Sequence, residues 1–426
     1  MGSEWEETTL GEFLTLQRGF DLPESQREPG PYPVIASTGQ VGAHFKAIVK
    51  GPGVVIGRSG SLGGGQYITS DFWPLNTTLW VKDFKGNDKR FCYYLLKSLD
   101  LARFNVGSGV PTLNRNHIHP LPITVPADIN EQKAIAHILG TLDDKTELNR
   151  RMSSTLEEMA RAIFKSWFID FEPVRAKAEV RRQHPDWTNE QVSRVALPTL
   201  DQNISGLFPD DFEDSELGEI PKGWRVGCIN DLADVVGGST PSTKEPKYWE
   251  GGIHFWATPK DLSILKFPVL LDTERCITDA GLSQISSGLL PVGTVLMSSR
   301  APIGYLSIAE VPVAINQGFI AMKPQEFASN LYLLFWAYFA QEEILSRANG
   351  STFLEVNKAN FRKIPLVLPR IEFFKAFDFY VEPLYKKIIS NEREVHTLGM
   401  IKAALLPKLI SGDLRVKDVD RFFKNL

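Results

Sequence analysis

Cysteine is scarce: Cys92, Cys228 and Cys276 stand far apart in 426 residues and form no CxxC pair. That argues against a disulfide scaffold and favours a reducing, cytosolic compartment. No leader is legible either, because the first residues, MGSEWEETTL, are acidic and lack an apolar core. The longest aromatic–aliphatic run, residues 331–340, falls far short of the roughly 20 residues that span a bilayer. A soluble, cytoplasmic protein that does not enter a membrane is expected. Positive charge is not in excess, since 47 Lys and Arg face 51 Asp and Glu for a net charge of −4. Composition alone therefore does not advertise nucleic acid. With 43% apolar and 11% aromatic residues, a disordered chain is excluded. At roughly 100–200 residues per domain, the length implies two to four domains.

Catalytic signatures are missing as well. The glycine-rich run GRSGSLGGG (residues 57–65) has no Lys-Ser/Thr after it, and the QYITS beyond reads as strand. No helix N-terminus would therefore meet a phosphate there. His117 and His119 in NRNHIH alternate on a strand-like segment with no Cys, Asp or Glu beside them to complete a ligand set. The remaining carboxylates and histidines show no acid/base or triad spacing. No Asn-Pro-Pro-aromatic tetrapeptide, cofactor glycine fingerprint or assembled PD…ExK set occurs. Binding, rather than catalysis and without a bound metal or cofactor, is the expectation.

What the chain does contain is a duplication. Trp5 answers to Trp224 at an offset of 219, Gly53 to Gly293 and Asn76 to Asn316 at 240, and Tyr94 to Tyr332 at 238. Gly107 and Pro126 answer to Gly350 and Pro369 at 243. Each copy opens with short β-branched runs between Gly, Pro, Asn and Ser signals (33–35, 54–56, 79–81, 121–125). A helical stretch at 91–98 interrupts the first copy and has its partner at 331–346.

Each copy then turns helical. Residues 130–167 lack proline and keep a heptad through Ile135, Ile138, Leu142, Met152, Leu156, Met159 and Ile163. Asn149 takes an a-type position and Lys145 a d-type one. At offset 242, Phe377, Leu384, Asn391, Leu398 and Leu405 take a-type positions and Lys387 a d-type one. Polar residues at matching seam positions cost stability but set register between paired helices. Between the copies, residues 172–194 are charge-rich and helical in pattern. Residues 201–217 hold six acidic residues and no basic one, so they read as a solvated linker. That segment accounts for more than the whole negative charge.

Two similar modules on long helices suit a duplex with two half-sites. The candidate DNA contacts are Arg58, Ser59 and Ser61 in the first glycine-rich turn and Ser298, Ser299 and Arg300 in the second. Asn76-Thr77 and Asn316-Gln317 follow, amides being the usual bidentate partners of adenine. Asn114, Arg115 and Asn116, then Asn357 and Lys358, come late in each module, and Lys260 joins the set. Arg and Lys at such positions hold phosphates or read guanine.

These residues resemble a known family, the specificity subunits of type I restriction–modification enzymes. INEQKAIAHILGTLDDKTELNRRMSSTLEEMARAIFKSWFIDF (129–171) is similar to that family's central conserved region, and LLPKLISGDLRV (405–416) to its distal one. LGEIPKGWRVGCINDL (217–232) and SSRAPIGYLSIA with AINQGFIAM resemble its second target-recognition domain. The resemblance implies an α+β, pseudo-twofold architecture: two mixed α/β target-recognition domains joined by long antiparallel, coiled-coil-like helices. Its expected boundaries are 1–126, 127–200 (central helices), 201–217 (linker), 218–369 and 370–426 (distal helices). It further implies that each domain reads half of an asymmetric bipartite site in double-stranded DNA, while the helices set the gap and dock partner subunits. Modification subunits, usually two, would carry S-adenosylmethionine and methylate adenine N6, and flipping would expose the base. Restriction subunits would add ATP- and Mg-dependent translocation and cleavage, leaving this chain without a cofactor of its own. SGSLGGGQ is looser than SSRAPIG, which leaves the match of Arg58 to Arg300 open by one residue. A methyltransferase or nuclease with unrecognised motifs, and a duplicated scaffold gripping protein instead of DNA, are the rival readings.

Overall fold

The computed structural model describes residues 5–350 and 354–416. Two compact units emerge, Met1–Leu148 with Val395–Leu426, and Asn149–Glu394. Each contains one mixed module and one stretch of a helix pair.

In the first unit, strand Trp5–Thr9 pairs antiparallel with Pro122–Pro126 and closes the module's two ends. Between them an antiparallel sheet runs in the order Thr15–Arg18, Thr78–Asp83, Gly53–Gly57, Gly63–Ile68. A second sheet centres on Tyr32–Ala36, antiparallel to Gly39–His44 and parallel to Trp73–Pro74. Helix Lys89–Ser98 starts where the Asp88 carboxylate accepts the Phe91 N–H. It buries Phe91, Tyr94, Leu95 and Leu96 in one core with Val54, Ile56, Leu79, Ile135, Leu139 and Leu409.

The second unit repeats this plan. Arg225–Cys228 pairs with Pro365–Leu368, and a sheet runs Ala233–Val236, Phe319–Pro324, Val295–Ser299, Ile303–Ala309, Val269–Leu270. His254–Ala257 lies antiparallel to Arg275–Ile277 and parallel to Val313–Ile315. The helix expected over 331–346 is two, Asn330–Phe339 and Gln341–Ser346, because the chain leaves helical geometry at Ala340.

The hydrogen-bond register revises the repeat. The outer anchors hold: Trp5 lies opposite Pro126, and Glu6 and Arg225 lie opposite Val125 and Leu368, offsets of 219 and 243. From strand Gly53–Gly57 to helix Lys89–Ser98 the offset is 241 throughout. Val55 faces Trp80 as Leu296 faces Ala321, and the helix caps are Asp88 and Ser329. Gly53, Asn76 and Tyr94 therefore correspond to Thr294, Gln317 and Phe335. Matching single residue types slid the central anchors by one to three positions.

Helices Ile129–Phe168 and Ile371–Ser411 have 40 and 41 residues, on the order of 60 Å each at 1.5 Å per residue. They run antiparallel within each unit. In the first, the Lys402 ammonium meets the Asp143 carboxylate. Arg415 grips Glu131 through Nε–Oε1 at 2.8 Å and Nη2–Oε2 at 3.0 Å. In the second, Asn391 Nδ2 donates to Ser153 Oγ at 3.1 Å and Asn149 Nδ2 to Glu394 Oε2 at 2.8 Å. The repeat-equivalent asparagines are both fully buried in the seam, as a-type residues should be. The d-type expectation fails. Lys387 is exposed, Lys145 is half-buried, and Met159 and Ile401 are 48% and 42% exposed. The second buried row is instead e-type: Leu139, Ser153, Ala160 and Trp167, then Val381, Ile388 and Leu409. These helices complete the module cores as well as each other, so the apolar stripe is widened toward the module side.

The 172–194 stretch is helical as its pattern implied, and residues 201–217 carry a short helix and a strand in place of the expected linker, although most of their carboxylates face solvent. Helices Glu172–Gln183 and Asn189–Ala196 precede a hairpin of Phe212–Ser215 with Gly218–Pro221, and Phe208 is buried against Trp167 and Phe373. Lys177, fully buried, donates to Asn189 Oδ1 at 2.7 Å, to the Ser205 carbonyl at 3.1 Å and to the Phe208 carbonyl. Burial pulls its pKa down to about 8. The acidic run is partly neutralised in place, Asp210 by Arg181 at 2.7 Å and Asp211 by Lys222 at 2.8 Å.

Candidate nucleic-acid interface

In each module three separated segments meet on one backbone frame. In the first, the Arg58 and Ser59 N–H groups both donate to the Thr77 carbonyl, at 2.9 and 3.0 Å. The Leu113 N–H donates to the Arg58 carbonyl at 2.7 Å, and the Arg58 guanidinium reaches the Asn76 carbonyl at 3.1 Å. In the second, the Ser299 N–H donates to the Gly318 carbonyl at 2.8 Å and the Val356 N–H to the Ser299 carbonyl at 3.0 Å. Arg300 lies opposite Glu355, as Ser59 lies opposite Thr112. The frame thus answers the open alignment: Arg58 corresponds to Ser299, and Arg300 to Ser59. Asn76 corresponds to Gln317, so Asn316 takes the place of Leu75.

The sequence-predicted residues have unequal access. Arg58, Ser59, Asn76 and Thr77 cluster half-exposed, and Ser61 is exposed at the tip of the turn. Arg300 is half-exposed with its guanidinium 3.7 Å from the Glu355 carboxylate, and Gln317 is exposed. Ser298 and Ser299 are buried. The Ser298 hydroxyl accepts the Tyr305 N–H and donates to the Pro302 carbonyl, both at 2.8 Å, so it holds the turn and offers nothing outward. Asn316 Oδ1 likewise accepts the Gly318 N–H at 2.8 Å.

Asn114 and Asn357 have the same structural task. Each caps a short helix, Arg115–Ile118 or Lys358–Arg362, accepting the N–H of Asn116 at 3.0 Å or of Asn360 at 2.8 Å. NRNHIH is therefore a helical turn rather than a strand. His119 points inward, its Nε2 accepting the Leu16 N–H at 3.1 Å, and burial lowers its pKa. Arg115, Asn116 and Lys358 remain exposed. Lys260 is exposed but tied to Glu274 at 2.6 Å, a bond that raises its pKa. Among the described residues, no group of three or more His, Cys, Asp or Glu could hold a metal ion, and no helix is long and apolar enough to cross a membrane.

The two modules thus carry different exposed polar groups on duplicated backbone frames. The sequence profile of the type I restriction modification DNA specificity domain matches residues 2–158 and again 221–378, one match over each module and the start of its long helix. This chain belongs to the type I restriction–modification specificity family. The type I restriction enzyme HindI specificity subunit of Haemophilus influenzae is 27% identical over 475 aligned residues, covering 97% of this chain and all of that one. The MjaIX specificity subunit of Methanocaldococcus jannaschii is 39% identical over 164 residues, 38% of each chain. In fold, the crystal structure of the S subunit from M. genitalium superposes with a TM-score of 0.62 over 96% of both chains at 16% identity. As a specificity subunit, the chain serves DNA sequence recognition and is not itself an enzyme; catalysis in such systems lies in separate subunits.

Asp21 and Thr240 were missed in the sequence. Asp21 accepts from the Asn76 amide, and Thr240 donates to the Gln317 amide. Their separation is 219, the offset already visible between Trp5 and Trp224, and that was the available signal.

Proposed function

We propose that each module of this specificity subunit reads one half of an asymmetric, bipartite site in double-stranded DNA. The paired helices set the gap between the halves and dock two modification subunits. Those partners hold S-adenosylmethionine and methylate adenine N6, and restriction subunits add ATP- and Mg-dependent cleavage, all in the cytoplasm. The observation that carries this reading is the shared frame, Arg58 N–H to Thr77 and Leu113 N–H to Arg58 against Ser299 N–H to Gly318 and Val356 N–H to Ser299, dressed with different side chains. One scaffold with two chemistries suits two different half-sites. The near-neutral charge fits an assembly in which partners supply much of the phosphate neutralisation.

The test is to map methylated motifs by single-molecule sequencing in cells expressing this chain with its modification subunits. Wild type should give a bipartite motif with a constant gap. Arg300→Ala should lower methylation through the second half-site only, and equal loss at both halves would sink the modular reading. Inserting four residues into helix Ile129–Phe168, about 6 Å of helix, should change the gap and leave both half-site sequences intact. A changed half-site with an unchanged gap would refute the spacer role.

A further inference from the structure

We propose that the base preference of each half-site is set by a clamped amide pair, Asp21 with Asn76 in the first module and Thr240 with Gln317 in the second. The first pair accepts a hydrogen bond from an exocyclic amino group in the major groove, adenine N6 or cytosine N4. This rests on the reading that the modules bind DNA.

Three observations lead here. The backbone beneath the pair is the same in both modules. The Phe20 N–H donates to the Pro74 carbonyl at 2.8 Å, and the Ser239 N–H to the Ile315 carbonyl at 3.1 Å. The Leu75 N–H donates to the Ile35 carbonyl at 2.8 Å, and the Asn316 N–H to the Ala257 carbonyl at 3.1 Å. Glycine precedes both loops because nothing larger fits. A Cβ on Gly19 would lie 2.2 Å from the Leu75 carbonyl oxygen, and one on Gly238 would lie 1.9 Å from that of Ile315.

Yet every side chain around the pair has changed: Arg18 to Gly237, Asp21 to Thr240, Arg58 to Ser299, Asn76 to Gln317. A structural brace would keep its chemistry in both copies. Positions that keep the frame and exchange charge, length and hydrogen-bonding type are those of a reader with two targets.

The chemistry then gives the polarity. An ionised carboxylate only accepts, so Asn76 must turn Nδ2 toward Asp21. Arg18 meets the same carboxylate oxygen, Oδ1, at 3.4 Å. Asn76 Oδ1 and Asp21 Oδ2 are left as acceptors on an exposed loop, matching an amino group and repelling a keto oxygen. The Thr240 hydroxyl donates to Gln317 Oε1, but a hydroxyl accepts as readily as it donates, so the second pair does not fix the sense of its amide as the carboxylate fixes the first. The two half-sites therefore differ in how strictly this position is read.

The decisive variant carries the second module's pair in the first module, Asp21→Thr with Asn76→Gln, in the full chain assembled with its modification subunits. Motif sequencing should show one altered or relaxed position in the first half-site, with the second half-site and the gap unchanged. Binding competition should use duplexes with purine for adenine, or 2-pyrimidinone for cytosine, at that position. Wild type should lose roughly tenfold or more on the substitution that removes its amino group, which also tells adenine from cytosine, and the variant should lose little.

If wild type yields no bipartite motif, the DNA-reading proposal fails. If it does and the variant's motif is identical, the clamp alone is refuted. Loss of assembly or a lowered melting temperature, repeated in the milder Asp21→Asn variant, would make the pair a brace and overturn the assignment. Asp21→Asn that folds and relaxes the same single position supports it.

Discussion

Arg415→Ala isolates one contact that ties the distal segment into the first unit. Glu131 is 1% exposed, and two guanidinium hydrogen bonds of 2.8 and 3.0 Å hold its carboxylate. The Trp5 indole N–H reaches the same carboxylate at 3.4 Å, and the guanidinium sits 5.4 Å from the centre of the Trp5 ring. Removing one partner of a buried ion pair costs about 3–5 kcal/mol, because the other charge stays buried. Arg415 retains 36% side-chain exposure, so solvent screening brings the expectation to about 2–3 kcal/mol. A unit of this size loses about 2–4 °C of Tm per kcal/mol. Arg415→Ala should then lower the first unit's unfolding transition by roughly 4–12 °C, read by calorimetry. Adding Glu131→Gln should restore part of that loss, since no buried charge remains. A transition within a degree of wild type, or no recovery in the double variant, would refute the reasoning.

Lys177 makes stability depend on pH in the second unit. Its folded pKa of about 8 lies below the ordinary lysine value, so the unfolded chain binds more protons between about pH 8 and 10.5. Stability should rise with pH across that window and fall as pH drops through 8; urea titrations should show the slope vanish in Lys177→Met. At the seam, the amide oxygens of Asn149 and Asn391 are buried without a hydrogen-bond donor. Replacing both with leucine should raise Tm while the methylated gap becomes heterogeneous; a lower Tm with a constant gap would show that the pair stabilises and does not set register.

Much of the architecture was legible in sequence because it is written in local signals. The Trp5–Trp224 and Pro126–Pro369 anchors, the strands around Val54 and Leu79 and the proline-free helix over 130–167 all rest on short-range pattern, and each has its counterpart in the fold. The buried asparagines were also legible, since an a-type position follows from spacing along one helix. The d-type lysines were not, because which neighbouring row is buried depends on what packs beside the helix. Residues 201–217 show the same limit: five of the six carboxylates do face solvent, but that Phe208 among them is buried against Trp167 and Phe373 is set by distant segments.

The candidate interface divides along that line. Sequence by itself determined that the chain is two copies of one plan, that long helices follow each copy, and that polar turns recur in order. Those properties are periodic or local, and they survive without knowledge of partners. Tertiary structure alone decided that Arg58 matches Ser299, that Asn76 matches Gln317, and that Ser298 faces inward. It also placed Asp21 and Thr240, far away in the chain, on those amides. Such pairings are made by hydrogen-bond register between strands, and a one-residue slip there reverses which side chain faces out.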